Sequence, residues 1–245
     1  MIVFVHGIPE TARIWDGLRS TVASESVALS MPGFGTDRPP SFSATMDGYL
    51  DWLRAELSRM DEPVDLVGHD WGAILAMRVA LDGHPSLRSW VADLGYGMHP
   101  DYVWHDLAQT WQTEGDGERF WYGYLSAEVE DTAAAFEPWG VPREAARSLV
   151  RMADDRMASS ILELYRSATP NPHVAWSLEL APTESPGLIL DTPEDPFGSS
   201  EQSRDVAREL GARCEVLAGL GHWWMLQDLS PVAVLERFWA DVAPA

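Results

Sequence analysis

Short apolar runs closed by glycine or proline alternate along this chain with stretches whose apolar residues return every three or four positions. The runs IVFVHG from Ile2, SVALSMPGFG from Ser26, PVDLVG from Pro63, LRSWVADLG from Leu87, GLILDT from Gly187 and CEVLAG from Cys214 read as strands. TARIWDGLRSTVA, from Thr11, has helix-like spacing. From Thr45 to Met60 the residues Met46, Tyr49, Leu50, Leu53, Leu57 and Met60 share one helical stripe, and WGAILAMRVAL from Trp71 reads as another helix. A last helix is expected with Ser230 as its cap, Pro231 in its first turn and Leu235, Phe238 and Trp239 on its apolar stripe. Strands alternating with helices predict an α/β fold, a mostly parallel sheet covered on both faces.

Between Gly97 and Pro182 this rhythm stops. The interval has no long strand pattern, contains the helical stretch PREAARSLVRMADDRMASSILELYRSA, and is rich in large aromatics. It is read as a helical lid, residues 97–182, inserted into a core made of residues 1–96 and 183–245.

Composition narrows the function classes. An apolar fraction of 46% is enough for a packed core, and no apolar run is long enough to span a bilayer. The opening residues lack the basic leader and cleavage site of a secretory signal. A single cysteine, Cys214, cannot form an internal disulfide, which fits a reducing compartment. A cytoplasmic location is therefore expected. The net charge of −21 opposes nucleic acids and anionic membranes, so neither is expected as a partner. A homodimer is compatible with the sequence.

The chemistry gathers at three places. LVGHDWGA, Leu66 to Ala73, runs from strand through turn to helix, with Gly68 and Gly72 two positions either side of Asp70. Small neighbours let such a turn project its central residue above the sheet, with a helix amino end beside it. Serine commonly stands at the centre of a turn like this; here it is aspartate. A plain helix cap is the competing reading of Asp70. LAGLGHWWMLQD places His222 in a loop after a strand, and LILDTPEDPFG places Glu194 and Asp195 in another, both carboxylates competing for the role of its partner. In FVHGIPE the chain bends after the first strand, so the backbone N–H groups of Ile8 and Trp71 are expected to converge as an oxyanion hole, with the Ile8–Pro9 bond a candidate for the cis form. The histidines show no metal-ligand spacing, and no metal or cofactor is expected.

Taken together, HGIP, GHDWGA, LDTPEDPFG and GLGHWW resemble the α/β-hydrolase superfamily, and within it the aspartate-nucleophile branch of epoxide hydrolases and haloalkane dehalogenases. The resemblance implies the α/β-hydrolase fold with a helical lid. Because this chain starts at the strand leading to His-Gly-x-Pro, a sheet of about six strands is expected, without the two that usually come first. It implies a triad of Asp70, His222 and Asp195. In this chemistry an ionised carboxylate attacks a saturated carbon to give an alkyl ester, which water then cleaves with the histidine as base.

The leaving group separates two readings. Epoxide opening needs proton donors, which epoxide hydrolases take from two lid tyrosines. LELYRSATPN resembles the lid helix bearing one of them and points to Tyr165. WHDLAQTWQTEGDGE resembles the first lid segment but carries Trp111 and no tyrosine, leaving Tyr102, Tyr122 and Tyr124 unresolved as the second donor. Halide departure needs N–H donors, for which Trp71 with Trp104, Trp111 or Trp139 are available. Ile8 does not match the asparagine of some dehalogenases, nor Trp71 the arginine of the haloacetate enzymes. A hydrophobic epoxide is the expected substrate, with Tyr165, Trp111 and Trp104 around it; the alternatives are a haloalkane, or a fold relative that binds or isomerises a ligand without ester hydrolysis.

Overall fold

In the computed structural model, which describes residues 1–242, the six strands are β1 Ile2–Val5, β2 Ser26–Leu29, β3 Val64–Gly68, β4 Leu87–Ala92, β5 Gly187–Asp191 and β6 Arg213–Val216. They form one sheet in the order β2-β1-β3-β4-β5-β6, every neighbouring pair parallel. β1, β3 and β5 are buried at every position, whereas the edge strands β2 and β6 are partly open. Apolar residues on both faces of the inner strands produce this, because each face is covered by helices.

The helices are α1 Asp16–Arg19, α2 Met46–Ser58, α3 Trp71–Leu81, α4 Asp106–Gln112, α5 Asp116–Ser126, α6 Val129–Ala134, α7 Arg143–Met152, α8 Asp155–Ser167, α9 Pro172–Ala175, α10 Ser200–Glu209, α11 Trp224–Gln227 and α12 Val232–Val242. None is long and apolar enough to cross a membrane. The stretch from Thr11, expected as one helix, is instead a 3-10 turn, Ala12–Trp15, running into the four residues of α1. The long helical pattern after Pro142 divides into α7 and α8, because Asp154 turns its side chain to cap Met157 N–H at 2.8 Å. Ser230 does not cap α12: its hydroxyl donates to Asp228 at 2.8 Å.

Helices α4 to α9, between β4 and β5, form a layer whose polar ties hold it to the sheet's loops. Glu163 on α8 accepts from Ala44 N–H at 2.7 Å and pairs with Arg38. Ser167 accepts from Met46 N–H at 2.8 Å. Gln227 joins the loop before α11 to this layer, accepting from Gly221 N–H at 3.0 Å and donating to Trp139 O at 2.6 Å.

The chain leaves β1 toward β2 on one side and later returns as β3 on the other. β1 and β3 lie side by side, with Val5 opposite Gly68, so the loops after them diverge at the carboxyl ends of the two strands. That crevice is where open parallel sheets place their ligands.

Candidate active site

Asp70 stands at the head of α3 with φ 50° and ψ −120°, a conformation that is costly for a residue with a side chain. It does not cap the helix; no side-chain cap bond is made. Its Oδ1 instead accepts from Ile8 N–H at 2.7 Å, and the Trp71 backbone N–H acts on the same carboxyl group. The glycines around it are required by close packing. A Cβ on Gly68 would lie 2.2 Å from Gly72 O, one on Gly72 2.3 Å from Val5 O, and one on Gly7 2.2 Å from Asp70 Cβ. The Ile8–Pro9 bond is cis.

His222 Nδ1 lies 2.9 Å from Asp195 Oδ2, which also accepts from Tyr96 O–H at 3.0 Å, while Asp195 Oδ1 accepts from Phe197 N–H at 2.9 Å. Glu194, its rival in sequence, is exposed. Burial alone would raise the Asp195 carboxyl, but the charge and hydrogen bond of His222 hold it below its usual value; Asp195 in turn raises His222 against the opposing effect of burial. Asp70 differs. Burial dominates and pushes its carboxyl up to about 6, although His222 and His69 pull the other way.

Asp70 and His222 line one cavity of about 230 Å³ whose wall is almost wholly apolar and aromatic. Tyr165, Trp104 and Trp111, singled out in sequence, all line it. So does Tyr102, which packs on Tyr96 at a ring distance of 5.3 Å. Burial, reinforced by the charge of Asp70, pushes the phenols of Tyr102 and Tyr165 upward, so both stay protonated. Tyr124 also lines the cavity, but Asp70 does not act on its phenol; Tyr122 is 78% exposed. The indole N–H groups of Trp71 and Trp111 are buried without a partner, and both rings pack on Tyr165, at 5.6 Å and 4.9 Å.

Beneath the turn lies a buried network that the sequence reading did not find. Asp93 Oδ1 accepts from Asp70 N–H at 3.1 Å, and its Oδ2 meets His69 Nδ1 at 2.6 Å and Trp224 Nε1–H at 2.7 Å. His69 Nε2 lies 3.1 Å from Glu10 Oε1, which also accepts from Trp223 Nε1–H; Gly7 N–H donates to Glu10 Oε2 at 3.0 Å. Burial would raise Glu10, but His69 outweighs it and holds the carboxyl down to about 2. Burial likewise opposes charge on His69, and Asp93 and Glu10 on either side overcome it, raising that imidazole well above its usual range. Glu10, His69 and His222 each offer a ligating atom within 4.8 Å of the others, but the Glu10–His69 contact is already an internal ion pair. Trp223 and Trp224, which follow His222 in the chain, donate the indole N–H groups that anchor this network.

Comparison with known proteins places this geometry in a lineage. A family model described as the alpha/beta hydrolase family matches residues 2–237. Epoxide hydrolase 2 of Siraitia grosvenorii is 36% identical over 87 residues, which cover 31% of this chain and 26% of that protein, about a quarter of the relative's length. Among solved structures, the haloalkane dehalogenase DbeA of Bradyrhizobium elkani superposes with a TM-score of 0.71 at 21% identity, covering 98% of this chain and 90% of its own. An N-formylmaleamic acid deformylase of Pseudomonas putida superposes with a TM-score of 0.74 at 14% identity, over 96% of this chain and 90% of its own. At these identities the structural neighbours speak for the fold alone. The family match carries further, because it runs through nearly the whole chain: this protein belongs to the alpha/beta hydrolase family.

Proposed function

We propose that this hydrolase opens a hydrophobic epoxide through an ester on Asp70 and releases the diol. The observation that carries the reading is the hydrogen bond from Ile8 N–H to Asp70 Oδ1. It fixes one carboxylate oxygen where an oxyanion will later form, leaving Oδ2 to attack. A second support is the pair of buried phenols, Tyr102 and Tyr165, on the same cavity.

The steps balance as follows. Asp70 Oδ2 bonds to an epoxide carbon, the ring C–O bond breaks, and the freed oxygen takes a proton from a tyrosine phenol. Water then adds to Cγ of the ester, giving one proton to His222 and putting negative charge on Oδ1, facing the N–H groups of Ile8 and Trp71. The intermediate collapses by breaking Cγ–Oδ2 and the diol oxygen takes the proton from His222; the proton left on the new Asp70 carboxyl is released as the phenolate regains one, which restores carboxylate and phenol. His222 is held for this by Asp195, and Asp195 by Tyr96 and Phe197 N–H. The curated relative named above, an epoxide hydrolase, agrees with this reading.

The haloalkane alternative has its own supporting observation, the unpartnered indole N–H groups of Trp111, on the wall of the cavity that Asp70 lines, and of Trp71, which packs on Tyr165. One experiment separates the two readings. The enzyme is mixed with styrene oxide or 1-bromohexane, quenched in acid within milliseconds, and weighed intact. An ester carrying the full mass of the epoxide supports the first reading; an ester formed only from the bromide, short by one hydrogen bromide, supports the second. No ester from either sinks both and leaves a ligand-binding relative.

A pH dependence follows from Asp70. Its carboxyl attacks only when ionised, and burial raises it to about 6. The single-turnover rate of ester formation is therefore expected to rise with pH through about 6 and then level off, since both phenols remain protonated. Ester hydrolysis needs neutral His222, which Asp195 holds above its usual value, so that step is expected to level off at higher pH than the first. Rapid-quench profiles of the two steps check the order.

A further inference from the structure

Helix α8 meets its surroundings through two opposite faces. At about 100° per residue, Arg156, Ser160, Glu163 and Ser167 fall on one stripe, and Tyr165 lies half a turn away from it. The Tyr165 face is apolar and aromatic. Its ring packs on Trp71 at 5.6 Å, Trp104 at 5.0 Å and Trp111 at 4.9 Å, and it lines the substrate cavity. The opposite stripe is polar, and all of it meets the segment from β2 to the start of α2. Arg156 donates to Thr36 O at 3.1 Å and pairs with Asp37 at 2.7 Å. Ser160 packs so closely that a Cβ on Gly33 would lie 2.4 Å from its Oγ. Glu163 accepts from Ala44 N–H at 2.7 Å and from Ser43 O–H at 3.2 Å, and pairs with Arg38. Ser167 accepts from Met46 N–H at 2.8 Å.

That segment is fixed in turn to the reacting side of the site. Met31 N–H donates to His6 Nε2 at 3.1 Å, two residues before the Ile8 N–H that holds Asp70, and Tyr49 O–H donates to Pro32 O at 2.8 Å. Apolar packing is non-directional and tolerates small rotations of a helix, whereas hydrogen bonds resist them. A phenol oxygen stands about 8 Å from its helix axis, so a rotation of roughly 10° moves it by about 1.4 Å. A misplacement of about 1 Å is enough to cost on the order of 10²-fold in rate.

We propose that Glu163 is a positioning residue for epoxide opening: by its contacts with Arg38, Ser43 and Ala44 it sets the rotation of α8 and so holds the Tyr165 phenol at the departing ring oxygen. The proposal rests on the epoxide reading above. Glu163 does not line the cavity, so its removal reaches the site only through the helix. Ala44 is fully buried, and its N–H is left without this acceptor when the carboxylate is removed.

The test is Glu163→Ala, with Glu163→Gln as the conservative variant that keeps an acceptor for Ala44 N–H. Glu130→Gln is the control, weakening a lid ion-pair cluster with Arg143 and Arg147 away from α8. Ester formation is followed by acid quench and intact mass. From styrene oxide, Glu163→Ala is expected to react about fivefold more slowly than the parent, the loss being limited because Tyr102 still serves. From 1-bromohexane, whose leaving group needs no proton, it stays within about twofold. Glu163→Gln recovers most of the epoxide rate, and Glu130→Gln behaves as the parent. On a Tyr165→Phe background, Glu163→Ala costs less than about twofold, because no phenol is left for it to place. If Glu163→Ala does not fold, Ser167→Ala, which removes the acceptor of Met46 N–H on the same stripe, carries the same expectations. An unchanged epoxide rate overturns the proposal. So do equal losses from both probes or an equal loss in Glu130→Gln, which would mean that the contacts only hold the lid together, and a loss that persists in full on the Tyr165→Phe background. Failure of the epoxide reading is distinguishable: it appears as Tyr165→Phe alone leaving the epoxide step unchanged, and the positioning role falls with it.

Discussion

His222→Gln is expected to form the ester at close to the parental rate and then stop, so that the protein is recovered from an epoxide carrying nearly one full equivalent on Asp70. The two steps place different demands on the site. In the proposed mechanism Asp70, ionised above pH of about 6, needs no base to attack. Water does need one, and a positioned general base contributes roughly 10²- to 10⁴-fold to such a step. Turnover is therefore expected to fall by about 10³-fold while the first step persists. No neighbour can take over the role. Glu10 is close enough, but a carboxyl held down to about 2 is too weak a base, and His69 already carries its proton between Asp93 and Glu10. Intact mass gives the stoichiometry, and fragmentation of the peptide containing Asp70 gives the site. Asp70→Asn on the same scaffold is expected to form no ester. A folded His222→Gln that forms none either would put the histidine in the first step and overturn the division of roles.

What the sequence made legible, and what it left hidden, follow from the range of the interactions. The six strands and the long helices were readable because each depends on a local pattern, a short unbroken apolar run for the strands and apolar residues every three or four positions for the helices. The turn at Asp70 was readable for the same reason, as Gly68, Asp70 and Gly72 lie within five positions and the close backbone packing around them tolerates only small residues. The choice between Glu194 and Asp195 was not local. The two carboxylates are adjacent, and only the tertiary partners Tyr96, Phe197 and His222 turn one inward. The buried network was out of reach altogether. It joins Gly7 and Glu10 to His69, Asp93, Trp223 and Trp224, polar groups from the ends of different strands that meet only because the sheet brings those ends together. Tyr102 stayed one of three open candidates for a related reason: resemblance directed attention to the helix carrying Trp111, whereas this tyrosine comes from the loop before α4, held there by Asn171 donating to its backbone carbonyl at 2.9 Å.

That displaced tyrosine carries the second large effect, because epoxides and halides differ in what their leaving atom needs. A ring oxygen departs as a strongly basic alkoxide and must be protonated as the C–O bond breaks. Bromide departs as a stable anion and needs only a polar N–H environment. With Tyr102 and Tyr165 as the donors, removing either hydroxyl leaves the other to serve, and removing both leaves only Tyr96, whose hydroxyl is given to Asp195, and Tyr124, on whose phenol Asp70 does not act. Each single change to phenylalanine is expected to slow ester formation from styrene oxide by about tenfold, and the double change by about 10³-fold, within the range of general acid catalysis. The rings remain, so the apolar wall and the edge-to-face packing of Trp111 on Tyr165 are kept. Ester formation from 1-bromohexane is therefore expected to stay within about threefold of the parent in all three variants. The contrast between probes is the readout, since a merely structural loss would lower both rates together. Equal losses would remove the phenols from the chemistry. An undiminished epoxide rate in the double variant would shift the assignment to the dehalogenase reading, in which Trp71 and Trp111 hold the departing anion and the tyrosines serve only as wall.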